Sequence, residues 1–514
     1  MTVAAALIAL ALVFADGETA ASRRERRVTP AARIAPAPVP RDLPLLPSSP
    51  RREVGTPDRH VDRAGVRSLL FHRKFPQLTR SLERFQAAFE KDPTCEDWPA
   101  DAAEALGTGE PELGPLLDAW IASAPRSFAP RLARGVFWVN VGLLRRGDPG
   151  AKESREDLEA MREAFASARR DLDRAIALRP RLVAALVKLE VLGIASSDRP
   201  TIEDAHRRAV AACPTCFAPR AAFVGTLGPG AGGGFAEMEE YAASLPTKDA
   251  PRLAFLSGYA ALERASSLEA ARDLRGASDT LDHVVALGAH APFYWRRGRF
   301  RLRSDLGSAQ ADLERAHELA PGEPGIVVSL ARVHELASRW EDAARWLRTA
   351  LRMDPLDPKA RRWLPEILRG LGEEAEKLAA AGQTTDALRL VDAALDLSPG
   401  AKDLSARREA LLGGDAAPNA EALAALEQGY RERPDDLETL RRLDRALASR
   451  GDRTRAVALW SAHLRRHPKD GRAYLERSGA HARLGDAREA RADAERACEL
   501  DLSEGCARAR DAGR

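Results

Sequence analysis

Apolar residues recur along most of this chain at helical spacing. In LLFHRKFPQLTRSLERFQAAFE (69–90), Leu78, Leu82, Phe85 and Phe89 fall on one face, and in DLEAMREAFASARRDLDRAIAL (157–178) Leu158, Met161, Phe165, Ala168, Leu172 and Ala175 do the same. EDAARWLRTALRM (341–353) follows the same rule. No stretch shows the strict apolar–polar alternation of a half-buried strand, so the pattern predicts an all-α fold from about Asp58 onward. Ahead of it, SRRERRVTPAARIAPAPVPRDLPLLPSSPRREVGTP (22–57) carries proline too densely for helix and predicts an extended, solvated linker.

The helical pattern is itself periodic. Pro434, Pro468 and Leu502 follow the ends of three helical segments at intervals of 34, and Gly451 to Gly485 and Ala456 to Ala490 keep the same interval. Pro321 to Pro355 and Pro180 to Pro214 repeat it upstream, while 44 residues separate Pro355 from Pro399, predicting a kink or an extra turn near Pro358 to Pro365. In YLERSGAHARLGDAREARADAERACELDL (474–502), Tyr474, Ser478, His481, Ala490, Ala497 and Leu502 stand at the Trp, Gly, Tyr, first Ala, second small and Pro positions of W-x2-L-G-x2-Y…A-x3-F…P. These segments resemble tetratricopeptide repeats, which implies an α-solenoid of helix-turn-helix units forming a right-handed superhelix, with alanines where helices touch. Residues 58–250 keep the helical-hairpin order less regularly. Through LDAWIASAPRSFAPRLARGVFWVNVG and LGPGAGGGFAEMEEYA they resemble a bacterial domain family of unknown function often joined to such repeats. That family's Pro-Lys-Trp-Gly-Gly turn is replaced here by Pro229, Gly230 and Ala231. The expected organisation is a signal peptide or short anchor (1–21), the linker (22–57), a divergent helical domain (58–250) and a repeat array (251–514) ending in a polar cap (503–514).

Length and a 45% hydrophobic content suffice for several domains or one long array, and 79 Lys+Arg against 76 Asp+Glu leave a formal +3, too little for a nucleic-acid face. Val3 to Ala15 has the length of a secretory h-region and is too short to span a bilayer as an ordinary helix; Val13 and Ala15 suit cleavage before Asp16, with Ala20 a second site. No Lys or Arg precedes this run and Arg23, Arg24, Arg26 and Arg27 follow it, so two readings stand: export to a periplasmic or secreted location, or an uncleaved inner-membrane anchor at residues 3–15. The most apolar later stretch, LVAALVKLEVLGIA, is interrupted by Lys188 and Glu190, so no membrane-spanning core is expected. Five cysteines, Cys95, Cys213, Cys216, Cys498 and Cys506, are too scattered for a disulfide framework.

The candidate chemistry is sparse. Cys213-Pro-Thr-Cys216 is open to three readings: structural cysteines, a disulfide formed after export, or, with His206 two turns upstream, part of a metal or redox site. GTLGPGAGGGF (225–235) lacks the Lys-Ser/Thr of a phosphate loop and reads as a turn between hairpins. Nothing assembles a nucleophile, base and oxyanion site, so a non-enzymatic chain with no cofactor is expected. Crowded arginines on first helices, Arg297, Arg301, Arg332, Arg441 and Arg445, suggest a concave track with little neutralising carboxylate, suited to an acidic peptide. The functional expectation is a protein-interaction scaffold of the bacterial cell envelope that binds a partner peptide or helix in its groove. The alternatives are a redox or metal-binding protein built on Cys213 and Cys216, and a membrane-anchored cytoplasmic regulator.

Overall fold

The computed structural model describes residues 37–47, 59–146, 155–381, 383–411 and 420–511; the expected signal segment and most of the expected linker lie outside them. Among the described residues the fold is all-α apart from one two-stranded antiparallel ribbon, β1 (Leu45–Pro47) and β2 (Arg59–Val61), in which Leu45 faces Val61. The ribbon corrects the reading of 22–57 as solvated linker at one place. Pro44 is buried, and Gln77 donates to the Pro40 carbonyl at 2.8 Å, because an edge strand tolerates proline where no ladder N–H is needed.

The chain divides between Val333 and His334 into two compact units. In the first, α1 (Arg63–Phe71), α2 (Phe75–Lys91), α3 (Asp97–Leu106), α4 (Leu113–Ser123), α5 (Ala129–Arg146) and α6 (Arg155–Leu178) are followed by α7 (Val183–Ala195), α8 (Arg199–Ala212), α9 (Ala218–Val224) and α10 (Phe235–Ala243). Then come α11 (Ser257–Ala270), α12 (Leu274–Ala286), α13 (Ala291–Arg301), α14 (Leu306–Leu319) and α15 (Pro324–Leu336), the last crossing the division. One apolar cluster, including Phe217, Met238, Leu253, Tyr259, Leu281 and Phe293, runs through residue 250 without a break. Ion pairs from Arg252 to Glu96 and Asp97, each 3.0 Å, likewise tie α3 to the segment ahead of α11. Helix α7 is buried all round, so its two ionisable side chains find partners inside the fold: Lys188 meets Glu104, and Glu190 meets His206.

The second unit contains α16 (Trp340–Met353), α17 (Pro358–Ala380), α18 (Thr384–Leu397), α19 (Lys402–Leu411), α20 (Ala420–Glu432), α21 (Leu437–Ser449), α22 (Arg453–Arg466), α23 (Gly471–Leu484), α24 (Ala487–Glu499) and α25 (Ser503–Asp511). Many helices in both units start on an Asp whose carboxylate accepts a backbone N–H of the first turn, as Asp305 does from Ser308 and Asp470 from Ala473, each at 3.0 Å. The long 355–399 spacing is taken up by α17, which has 23 residues where α15, α21 and α23 have 13 or 14, and which carries Pro365 inside it. Signature alanines sit where helices touch: Ala343, Ala456, Ala490 and Ala497 are all buried. No helix among the described residues is long and apolar enough to cross a membrane.

Residues 503–511, within the segment expected as a polar cap, form a helix packed on the pairs before it. Leu502, Ser503 and Cys506 are buried, Ser503 Oγ donates to the Asp396 carbonyl of α18 at 3.0 Å, Arg352 of α16 pairs with Asp501, and Cys506 is disulfide-bonded to Cys498. Small and polar residues at 503–506 permit that close return, which a sequence reading for bulk hydrophobicity undervalues.

Candidate functional site

The arginine positions are occupied from within. Arg297 and Arg301, one turn apart on α13, converge on the buried Asp312 of α14: Arg297 Nε and Nη2 donate at 2.9 and 2.7 Å, and Arg301 Nη1 at 3.0 Å. Both also reach Asp282 Oδ1 at 2.8 Å. Arg441 is buried; its Nε donates to Glu476 at 2.8 Å, and Arg408 bridges Glu476 to Asp392. Burial pushes the Glu476 pKa up, but Arg408 and Arg441 overcome it and hold the carboxyl well below the usual range. Arg445 is partly buried, and that burial lowers its pKa. Arg332 is half-buried and engaged within the fold. The expected track with little neutralising carboxylate is therefore corrected for Arg297, Arg301 and Arg441. Helix pairing places an acidic side chain from a neighbouring helix against each of these arginines, a placement invisible along a single helix.

The same fork recurs. Arg134 of α5 grips Asp171 of α6, and Arg477 of α23 grips Asp493 of α24, again through Nε to Oδ2 and Nη2 to Oδ1, at 2.6 to 2.9 Å. In each pair a small residue follows the arginine (Gly135, Gly298, Ser478), and the aspartate lies three residues after a signature alanine (Ala168, Ala309, Ala490). A Cβ on Gly135 or Gly298 would meet Leu172 at 2.7 Å or Leu313 at 2.9 Å, so the fork forms where the two helices approach most closely. At Arg297 and Arg477 the arginine occupies the Leu position of the repeat pattern and lies over the Tyr at its Trp position, with Tyr294 and Tyr474 ring centroids at 5.9 and 5.5 Å. Arg-Gly or Arg-Ser in a first helix together with Ala-x-x-Asp in the second was the legible signal.

Cys213 and Cys216 form a disulfide between α8 and α9; both are buried, which denies a thiol partner access, and Arg220 covers the loop through the Cys216 and Pro214 carbonyls at 2.7 Å. His206 is not gathered with them into a ligand set. Its Nδ1 lies 3.2 Å from Glu190, its Nε2 3.1 Å from the Tyr241 hydroxyl, and its ring stacks on Phe223 at 4.1 Å. Burial, aided by Arg220, lowers its pKa to about 4, and burial raises that of Glu190 well above the ordinary value. The chain Glu190–His206–Tyr241 thus holds a neutral imidazole in place. In 225–235, Gly232 adopts φ +87° and a Cβ on Gly233 would meet the Leu227 carbonyl at 2.2 Å, so these glycines serve a tight turn.

One grouping went unseen in the sequence: Asp435, His463 and His467 each offer a donor atom within 4.8 Å of the others, the only such set of three His, Cys, Asp or Glu among the described residues. Its signal was a His pair four apart just before Pro468, with Asp435 34 residues ahead of Lys469 in the repeat register.

Residues 62–196 match a family described as a domain of unknown function (DUF4034), inside the segment expected to resemble such a family. No curated protein matches the chain. Among solved structures, the chain is similar to the TPR domain of P58(IPK) at 16% identity and TM-score 0.22, covering 84% of this chain and 98% of that one. The Naa15/Naa10 complex bound to HypK-THB matches at 15% identity and TM-score 0.28, covering 85% and 63%, and yeast Tom70 at 14% identity and TM-score 0.20, covering 87% and 87%. Residues 62–196 are thus similar to a family without an assigned activity, and the helix pairs that follow display the tetratricopeptide pattern in their own packing.

Proposed function

We propose that this chain is a non-enzymatic scaffold that holds a partner peptide or helix against the faces of its helix pairs. The observation that carries this reading is the repeated pairing itself. Small residues close the contact, the Arg–Asp fork fixes it in three pairs, and rows of such pairs present extended rigid surfaces that suit partner segments. Because Arg297, Arg301 and Arg441 are spent on internal carboxylates, recognition relies on shape and apolar contact more than on an arginine track. The disulfides Cys213–Cys216 and Cys498–Cys506 support an oxidising compartment, in keeping with export to the cell envelope. In-cell cross-linking of the full chain in its native host, read by mass spectrometry, should return one recurrent protein partner cross-linked to a contiguous set of helix-pair faces. Scattered cross-links with no recurrent partner would overturn the reading.

A further inference from the structure

The last turn of α22 carries His463, His467 caps the helix C-terminus, and the loop between α20 and α21 brings Asp435 against them. His467 Nε2 lies 2.9 Å from Asp435 Oδ1, and the two imidazoles are 4.6 Å apart, centre to centre. His463 is buried, with Nε2 3.0 Å from Asp470 Oδ2. A carboxylate only accepts, so Nε2 is the donor there, and in the neutral imidazole that leaves the lone pair on Nδ1. That atom is buried and has no hydrogen-bond partner among the described residues. An unpartnered buried acceptor beside a second imidazole and a carboxylate asks for an electron-pair acceptor.

We propose that Asp435, His463 and His467 bind a borderline first-row divalent cation, for which Zn2+ is the best match. Donors roughly 2.0 to 2.2 Å from Zn2+ stand roughly 3.3 Å apart in a tetrahedron, so a set already within 4.8 Å needs only a small closure. Asp470 is then the carboxylate behind a ligating imidazole, an arrangement that fixes the ring's tautomer and orientation. The charges nearby choose the metal. Arg466 Nε donates to Asp435 Oδ1 at 3.0 Å and Lys469 lines the same recess, so the two carboxylates are offset by two cations. A hard cation held by net negative charge, such as Ca2+ or Mg2+, finds little there, whereas Zn2+ is held by the imidazole bonds. The three residues line a recess of about 460 Å3 together with Leu437 and Pro468, which leaves room for a fourth ligand, water or a partner's donor. Pro434 and Pro468 mark successive repeat ends, so the cation would fasten one inter-repeat loop to the next helix terminus.

The test uses the full chain without reductant, so that the disulfide cysteines stay closed, freed of metal by dialysis against chelator and titrated with ZnCl2 by calorimetry. One saturable Zn2+ per chain is expected. His467→Ala and Asp435→Asn, both at exposed positions and checked for unchanged circular dichroism, should each weaken binding at least about tenfold. Co2+ bound in place of Zn2+ should give visible bands without the near-ultraviolet thiolate absorption. Absence of saturable Zn2+ binding, equal affinity in wild type and both variants, or a thiolate band that marks Cys95 as ligand would each overturn the assignment.

Discussion

The carboxylate of Asp312 takes two parallel bonds from Arg297 and a third from Arg301 while its side chain stays about nine-tenths buried. Removing one partner of a buried pair leaves charge unsatisfied, so Asp312→Ala should destabilise by ~3 kcal/mol in a denaturant titration. Arg264→Ala, which breaks the exposed pair to Glu239, should stay within ~0.5 kcal/mol; equal midpoints for the two variants would show that the fork adds nothing. His206 gives a residue-scale pH dependence. Its folded pKa, about 4, lies below its ordinary 6.5, so the unfolded chain takes up the proton first. The stability it contributes is complete above about pH 6.5 and drains away as pH falls toward 4, by ~2 kcal/mol between pH 7 and 5. Glu190, with its raised pKa, works in the opposite sense: the fold holds its proton to higher pH than the unfolded chain does, and that contribution is lost as pH rises through the raised value. Melting scans at pH 7 and pH 5 should show a smaller loss for His206→Gln than for wild type, with buried His290 sustaining the remaining slope.

At the scale of elements, helices are set by what their contacts leave room for. A Cβ on Gly370 of α17 would stand 2.4 to 2.5 Å from the Trp340 ring, a flat wall that cannot rotate aside cheaply. Replacing a mid-helix glycine by alanine gains ~1 kcal/mol of propensity, and overpacking costs ~1–3 kcal/mol. With three ring atoms that close the clash wins, so Gly370→Ala should lower the unfolding midpoint; a rise would place the indole elsewhere. Helix α25 depends on a covalent tether and on polar contacts to α16 and α18. Closing the short 498–506 loop is worth ~2 kcal/mol by loop entropy, so Cys506→Ser should fray α25, seen as faster amide exchange over Ser503–Asp511 with little change in α21 and α22.

For the whole molecule, a chain of helix pairs that bury surface mainly against their neighbours has no single core to melt at once. The division at Val333/His334 and separate apolar clusters, such as that around Trp460, argue for unfolding in more than one step. Calorimetry of the full chain should show at least two transitions. Asp312→Ala should lower the transition of the first unit, and Cys506→Ser that of the second. A single transition moved equally by both would mean that the array unfolds as one cooperative body.

Periodicity alone determined that the described residues are helical and that their helices pair at a 34-residue interval, and the resemblance to tetratricopeptide repeats implied that Ala456 and Ala490 lie at contacts, because local geometry and nearest-neighbour packing are written in residues close together in sequence. The Cys498–Cys506 pairing, the closed turn at Gly232 and the paired state of Arg297 were out of reach, because each depends on residues of other elements or on a backbone conformation that composition does not specify. Arg297 is the clearest case. Along α13 it is one cation among several, and only the packing of α12 and α14 brings Asp282 and Asp312 to it and turns a presumed ligand contact into an internal clamp. Asp435, His463 and His467 likewise became a group only when the fold set one inter-repeat loop against the end of the next pair. Sequence fixes what each helix can offer; which offers meet is decided by distances across helices, where a shift of a few ångströms separates a solvated charge from a satisfied one.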